Sequence, residues 1–195
     1  MSSTQTTLLI GAAILLFWAV GAYNRLVGLR NVMRTAFGQL EAQLRRRHEL
    51  IPALAEAARA SADAGTLDTD VLDAAVAARH QAHAALDLAR AHPGAAGPTV
   101  SLAMAEQVLS DACRRLQQLI DGDAALKTGP SVQAVRDELL GAEGRLGFAR
   151  QMFNDAVGEY NAAVRQFPTR VLSSLFGFPE AAALPAPAEG GPRPN

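Results

Sequence analysis

Along most of this chain apolar residues recur at steps of three and four, the spacing that stacks side chains on one face of an α-helix. Leu26, Leu29, Met33, Phe37, Leu40, Leu44, Ile51, Leu54 and Ala58 make the first stripe, and His48 falls in its single step of seven. Pro52 lacks an amide donor and crowds the preceding turn, which predicts a kink. Gly65 reads as a stop, and Thr66 to Asp70, rich in Thr and Asp, suits the start of a second helix. That helix runs to about Ala91, with Val71, Ala75, Leu86 and Ala89 facing inward, and ends at the breaker cluster HPGAAGPT, residues 92–99. A third helix, from about Val100 to Ala125, carries Leu102, Ala105, Leu109, Ala112, Leu116 and Leu119 on one face. Lys127 to Pro130 breaks it. Ser131 then caps a fourth helix, where Val135, Leu139, Leu146, Phe153, Val157, Tyr160 and Val164 hold the stripe up to Phe167-Pro168. Gly141, Gly144 and Gly147 inside that helix each cost about 1 kcal/mol of helix propensity. Their spacing predicts close approach of another backbone, the bland reading being local weakness.

The residues before this pattern behave differently. From Thr6 to Tyr23 the chain is uncharged, with Leu8, Leu9, Ile10, Ile14, Leu15, Leu16, Phe17, Trp18 and Val20 supplying the apolar surface. At about 1.5 Å per residue this length nearly matches a hydrocarbon core of roughly 30 Å. Trp18 and Tyr23 lie toward its C-terminal end, and Arg25, Arg30 and Arg34 follow, whereas no basic side chain precedes it. Taking the setting to be a bacterial inner membrane, the positive-inside rule places the N-terminus outside and the large C-terminal part in the cytoplasm. A cleaved signal peptide is the rival, since Ala19-Val20-Gly21 resembles a cleavage site. It is disfavoured because the opening residues lack positive charge and helical periodicity continues straight through the cut.

The predicted fold class is therefore all-α: an N-terminal transmembrane helix continuous with an antiparallel up-and-down four-helix bundle. Heptad-like spacing also serves a coiled coil between chains, the alternative architecture. The division expected is 1–23 for the opening segment and span, 24–178 for the bundle and 179–195 for a disordered tail. That tail, PEAAALPAPAEGGPRPN, has too few large apolar groups to offset its ordering entropy.

Composition adds limits. The chain has 195 residues, 49% hydrophobic but only 5% aromatic, which suits slender, closely packed helices. A formal net charge of -1 gives it no long-range pull on nucleic acid. Charge is unevenly placed, however. Between Asn24 and Ala60, Arg25, Arg30, Arg34, Arg45, Arg46, Arg47 and Arg59 face Glu41, Glu49 and Glu56. The run Arg45-Arg46-Arg47-His48 reads as a solvated helix face or, functionally, as a contact for an acidic partner protein. It stands too far from a bilayer for lipid contact, at about 30 Å against a Debye length of about 8 Å. The lone Cys113 reads as a small buried apolar residue. His80 and His83 share a helix face, but HxxH without a neighbouring Glu or third ligand is weak ground for metal, and a solvent-facing pair is the ordinary explanation. No catalytic constellation, phosphate loop or cofactor motif is present in the sequence.

Two stretches carry a family resemblance. Residues 23–56, YNRLVGLRNVMRTAFGQLEAQLRRRHELIPALAE, include Tyr23-Asn24, Leu26-Val27, Arg30-Asn31, the basic run and Leu50-Ile51-Pro52. Residues 153–178, FNDAVGEYNAAVRQFPTRVLSSLFGF, include Tyr160-Asn161, Phe167-Pro168 and Leu175-Phe176-Gly177-Phe178. Together these resemble the LemA family of bacterial membrane proteins. Phe153 stands where the first of two Tyr-Asn pairs is usual in that family, and Gly144 and Gly147 replace more polar residues. The resemblance implies a single anchor and a four-helix bundle, in a family with no agreed enzymatic activity. It suggests association with membrane proteases, other membrane partners or organelle-like assemblies; the lipid bilayer and further copies of the chain are expected from the span and from the rigid helix that joins it to the bundle. The leading expectation is a non-enzymatic scaffold or adaptor; a regulatory subunit of a membrane metallopeptidase and a metal-binding protein using His80 and His83 are the alternatives. Residues 167–178 are expected to dock either on the bundle or on lipid.

Overall fold

The computed structural model describes residues 3–62 and 68–188, and among these it is all-helical apart from connections and an extended C-terminal stretch. Six helices follow one another: α1 Ser3–Ser61, α2 Thr69–Ala91, α3 Ala96–Gly122, α4 Ala124–Thr128, α5 Pro130–Arg165 and α6 Thr169–Leu175. The four long rods α1, α2, α3 and α5 are the predicted bundle, and short α4 and α6 are additions at its two ends. The expected stop at Gly65 and the Thr66 end of the proposed cap lie outside the described residues. Asp68 is the cap of α2, its carboxylate accepting from the Asp70 amide at 3.1 Å.

Helix α1 is one element of 59 residues, roughly 90 Å long at 1.5 Å per residue. The helix runs unbroken through Pro52. Its first third stands clear of the bundle: an apolar window of mean hydropathy 1.7 near the N-terminus is entirely unburied, long and apolar enough to cross a membrane. From Leu26 onward the same helix supplies the core. Leu26, Met33, Leu40 and Leu54 are buried in one seven-residue series, and Phe37, Leu44, Ile51 and Ala58 in another.

Helix α5 answers with Leu139, Leu146, Phe153 and Tyr160 alternating with Ala142, Ala149, Ala156 and Ala163, all buried. Alternation of large and small residues lets the long helices interdigitate. Helix α1 packs along α5 and α2, and α2 along α3. Short α4 touches both α3 and α5 at the distal end of the seam between them.

Four local expectations need correction, the first being the Ser131 cap: α5 begins at Pro130, with Gly129 in the cap position and no side-chain cap bond. Helix α3 begins at Ala96, inside the breaker cluster, because Pro98 falls in the first turn, where no amide donor is needed. Its buried face is Thr99, Leu102, Glu106, Leu109, Cys113, Leu116 and Ile120, with Ala105, Ala112 and Leu119 only half-buried. The expected stripe was rotated by following apolar residues and passing over Glu106.

Gly141, Gly144 and Gly147 all point to solvent, and a Cβ at Gly144 or Gly147 would meet nothing within 4 Å. No second backbone approaches them, so their helix cost stands uncompensated. Gly144→Ala is accordingly expected to stabilise the fold by about 0.5–1 kcal/mol. Equilibrium denaturation checks this, and a loss of stability would show that the site is packed against something.

The largest departure is the tail. Residues 179–188 are not helical, yet Phe178 and Leu184 are buried and the segment lies along the bundle as a strap. Residues 189–195 lie outside the described residues.

Candidate functional site

The core divides into two apolar clusters. The one nearer the span contains Leu40, Leu44, Leu86, Leu102, Leu146 and Phe153. The distal one contains Ile51, Leu54, Leu72, Leu109, Leu116 and Leu139. Between them lies a charged layer. Arg47 continues the buried series Leu26, Met33, Leu40 and Leu54, and Glu106 continues Thr99, Cys113 and Ile120. These two residues are 4% and 2% exposed, and His48 is fully buried.

Glu106 is the hub. Its Oε2 accepts from Arg47 Nη1 at 2.8 Å, and its Oε1 lies 2.7 Å from His48 Nε2. Arg47 Nη2 also donates to Ser110 Oγ at 3.1 Å, and Glu143 Oε1 lies 3.7 Å from Arg47 Nε. Buried ionic groups survive only when so compensated.

Pro52 belongs to the same layer. A proline in a helix cannot donate to the carbonyl four residues earlier, here that of His48. Arg79 Nε from α2 donates to that carbonyl at 3.1 Å. Pro52 thus frees an acceptor, and a neighbouring helix satisfies it. Arg79 lies midway between buried Leu72 and Leu86, so each of α1, α2 and α3 places a charged residue at this level. The His48 and His83 rings meet edge to face, with centroids 6.0 Å apart. Burial pushes the His83 imidazole below its usual range, against the opposing pull of Asp87.

The basic run is divided: Arg47 and His48 are buried, whereas Arg45 and Arg46 stay partly exposed and pair with carboxylates of the bundle itself. Arg45 Nε donates to Glu41 at 2.9 Å and its Nη2 to Asp87 at 2.8 Å, which holds the Asp87 carboxyl below its usual range. Arg46 pairs with Glu49 and with Glu138. Arg47 is buried on Glu106. What sequence reasoning missed was Glu106, and the gap it fills in the heptad series of α3 was the available signal.

His80 and His83 do not act as a pair. His83 turns inward to His48, while His80 Nδ1 lies 3.4 Å from the Arg79 guanidinium. Among the described residues no group of three or more His, Cys, Asp or Glu side chains is arranged to hold a metal. Cys113 is buried as expected, and desolvation pushes its thiol up to about 11. A thiol reagent at neutral pH is expected to modify the folded chain far more slowly than the denatured chain. Equal rates would contradict that burial.

A second constellation lines the seam between α3 and α5 near the span. Asn161 Nδ2 donates to the Ala181 carbonyl and its Oδ1 accepts from the Ala181 amide, both at 2.8 Å. Asn154, one heptad earlier, does the same for Leu184 at 3.0 and 2.8 Å. Gln107 of α3 holds Ala188 at 3.5 and 2.6 Å. Tyr160 donates its hydroxyl to the Pro179 carbonyl at 2.9 Å. An extended segment has no internal hydrogen bonds, and these amides replace the missing ladder. Gly94, at φ +81°, lets its carbonyl accept from the Ala182 amide at 2.8 Å. A Cβ there would stand 3.1 Å from both Ala181 and Met33, so this turn requires glycine.

The remaining motif residues gather where the span meets the bundle. Tyr23 packs edge to face on Phe176 and Phe178, at 5.5 and 5.6 Å between ring centroids. Arg30 lies over the Phe178 ring at 5.9 Å. Leu26 is buried, Val27 packs against the same cluster, and Leu50 and Ile51 belong to the distal one. Asn24 and Asn31 are exposed. The Phe167-Pro168 bond, which is cis, precedes α6, and Gly177 at φ +68° turns the chain after it. Phe167, Leu175 and Phe176 point outward. Residues 167–178 thus divide, with Phe178 docked on the bundle.

A search of curated proteins returns no match. The LemA family model matches residues 36–194, a span that takes in the charged layer, both clamping asparagines and the strap. The chain belongs to the LemA family.

Proposed function

We propose that this chain is a non-enzymatic, membrane-anchored rod that acts as a scaffold or adaptor through protein contacts. The observation that carries the reading is the continuity of α1 from its unburied apolar third into the bundle core. A helix without a joint transmits position and orientation from bilayer to bundle, whereas a flexible linker would not. Nine large apolar side chains between Leu8 and Val20 stand exposed, a surface that water disfavours and lipid accepts. Arg25, Arg30 and Arg34 after the span favour a cytoplasmic bundle and an outside N-terminus in a bacterial inner membrane.

The partner is a second copy or another membrane protein. Val100, Met104 and Val108 form an exposed apolar row on α3, and Leu140, Phe148 and Met152 are exposed on α5. Such surface is what a protein contact would cover.

A photo-crosslinking residue placed at Met104 or at Phe148 of the full chain, activated in intact cells, tests this directly. A discrete adduct with the chain itself or with one membrane protein is the expected result. Absence of any adduct from either position would overturn the scaffold reading, and release by carbonate washing would overturn the anchor.

A further inference from the structure

Helix α6 places an uncovered apolar face beside the end of the span. Its inward side is already used: Thr169 and Ser173 are buried, and Ser173 Oγ donates to the carbonyls of Val164 and Arg170 at 3.3 and 2.9 Å. Its other side carries Val171 and Leu175 four residues apart, preceded by Phe167 and followed by Phe176. Phe167 is 80% and Leu175 74% exposed, and Val171 and Phe176 are more than half exposed. The position of this face is fixed by Phe176 against Tyr23, the aromatic residue that closes the uncharged stretch. Tyrosine at such a place sits at headgroup depth.

Basic groups surround the same level. Arg25 lies 3.5 Å from Gln166, Arg30 covers Phe178, and Arg165 is engaged by Glu180 at 2.8 and 2.6 Å. Arg170 is exposed, and its charge acts on Glu180, whose direct ion-pair partner is Arg165. Arg170 borders a groove of about 620 Å³ between α6 and the start of the strap.

From this geometry we infer that α6 lies in the headgroup layer of the same membrane that α1 crosses, its apolar face in the acyl boundary and Arg170 on anionic lipid headgroups. An interfacial helix of this kind needs a large apolar face, flanking cations and a position at bilayer height, and all three coincide here. With α1 it makes a two-point contact, which fixes the tilt and rotation of the bundle relative to the bilayer. The inference rests on α1 spanning the membrane, and its test separates the two.

The full chain is reconstituted into phosphatidylcholine vesicles, with and without phosphatidylglycerol, in which the lipid carries bromine either near the headgroup or deep in the acyl chain. Trp18, the one tryptophan of the sequence, reports on the span. A second chain, Trp18→Phe with Leu175→Trp, reports on α6, and a third, Trp18→Phe with Met104→Trp, reports on bundle surface far from lipid. Trp18 is expected to be quenched in all bilayers. The Leu175→Trp reporter is expected to lose about half its emission to shallow bromine and less to deep bromine, the depth at which interfacial helices lie. The Met104→Trp reporter should be unaffected. Adding Arg170→Gln should weaken shallow quenching only in the vesicles that contain phosphatidylglycerol. If Trp18 is quenched while the Leu175→Trp reporter behaves like the Met104→Trp one, α6 faces water or a protein and the inference fails with the anchor intact. If Trp18 itself is not quenched, the anchor fails and the inference falls with it. Circular dichroism confirms that each variant retains its helices.

Discussion

Glu106→Ala is expected to destabilise the bundle by about 3–5 kcal/mol, the cost of leaving buried charge without its partner. The substitution removes the buried carboxylate held 2.8 Å from the Arg47 guanidinium, leaving it Ser110 and the more distant Glu143, and removes the partner held 2.7 Å from the His48 ring nitrogen, between two apolar clusters. Exposed ion pairs among the described residues, such as Arg46–Glu49, are screened by solvent and fall well below this value. A second variant separates charge from packing. Arg47→Met combined with Glu106→Leu removes both charges at similar volume and should recover much of the loss, as buried ion pairs exchanged for apolar residues commonly do. Denaturant titration of the detergent-solubilised full chain, followed by circular dichroism, measures both. A loss below about 1 kcal/mol for Glu106→Ala would mean that the layer is solvated.

Leu184→Ala carries the second large effect, about 2–5 kcal/mol, the range for removing a buried leucine from a packed core. Leu184 is almost wholly buried in the cluster that holds Phe37, Phe153 and Tyr160, although its neighbours are Ala and Pro. The loss should exceed that of Asn154→Ala, which removes two hydrogen bonds to the Leu184 backbone at about 0.5–1.5 kcal/mol each. The same titration decides the order. A Leu184→Ala chain as stable as its parent would return the strap to the mobile tail expected from its composition.

These two residues also show where sequence reasoning reached its limit. The rods were legible because their stripes are local: Leu26 to Ala58 on α1 and Leu139 to Val164 on α5 follow from spacing alone. The bundle fold and the apolar span follow from the same periodicity and from the uncharged opening. Glu106 was hidden because a charged residue at a core position reads as surface until its partner, 59 residues away on Arg47, is known. The role of Arg79 was hidden similarly. It depends on a carbonyl that Pro52 leaves free on another helix.

The strap failed for a different reason. Composition measures what a segment can bury by itself, whereas residues 179–188 are held by Asn154, Asn161 and Gln107, whose side-chain amides match backbone groups 20 to 81 residues distant. Tyr160-Asn161 was noticed as a motif, yet its partner was not readable from spacing. The glycines of α5 were misread in the opposite direction. A close approach was expected where Gly144 and Gly147 face open solvent.

The functional proposal depends on α1 being a single rod, and a distance measurement tests that most directly. Spin labels at Ala12→Cys in the exposed third and Ala42→Cys on the exposed side of the bundle, in a Cys113→Ala chain held in lipid nanodiscs, are separated by 30 residues of helix. A straight helix of that length predicts one narrow distribution near about 45 Å. A broad distribution, or a maximum well short of that distance, would show a joint between span and bundle and contradict the account.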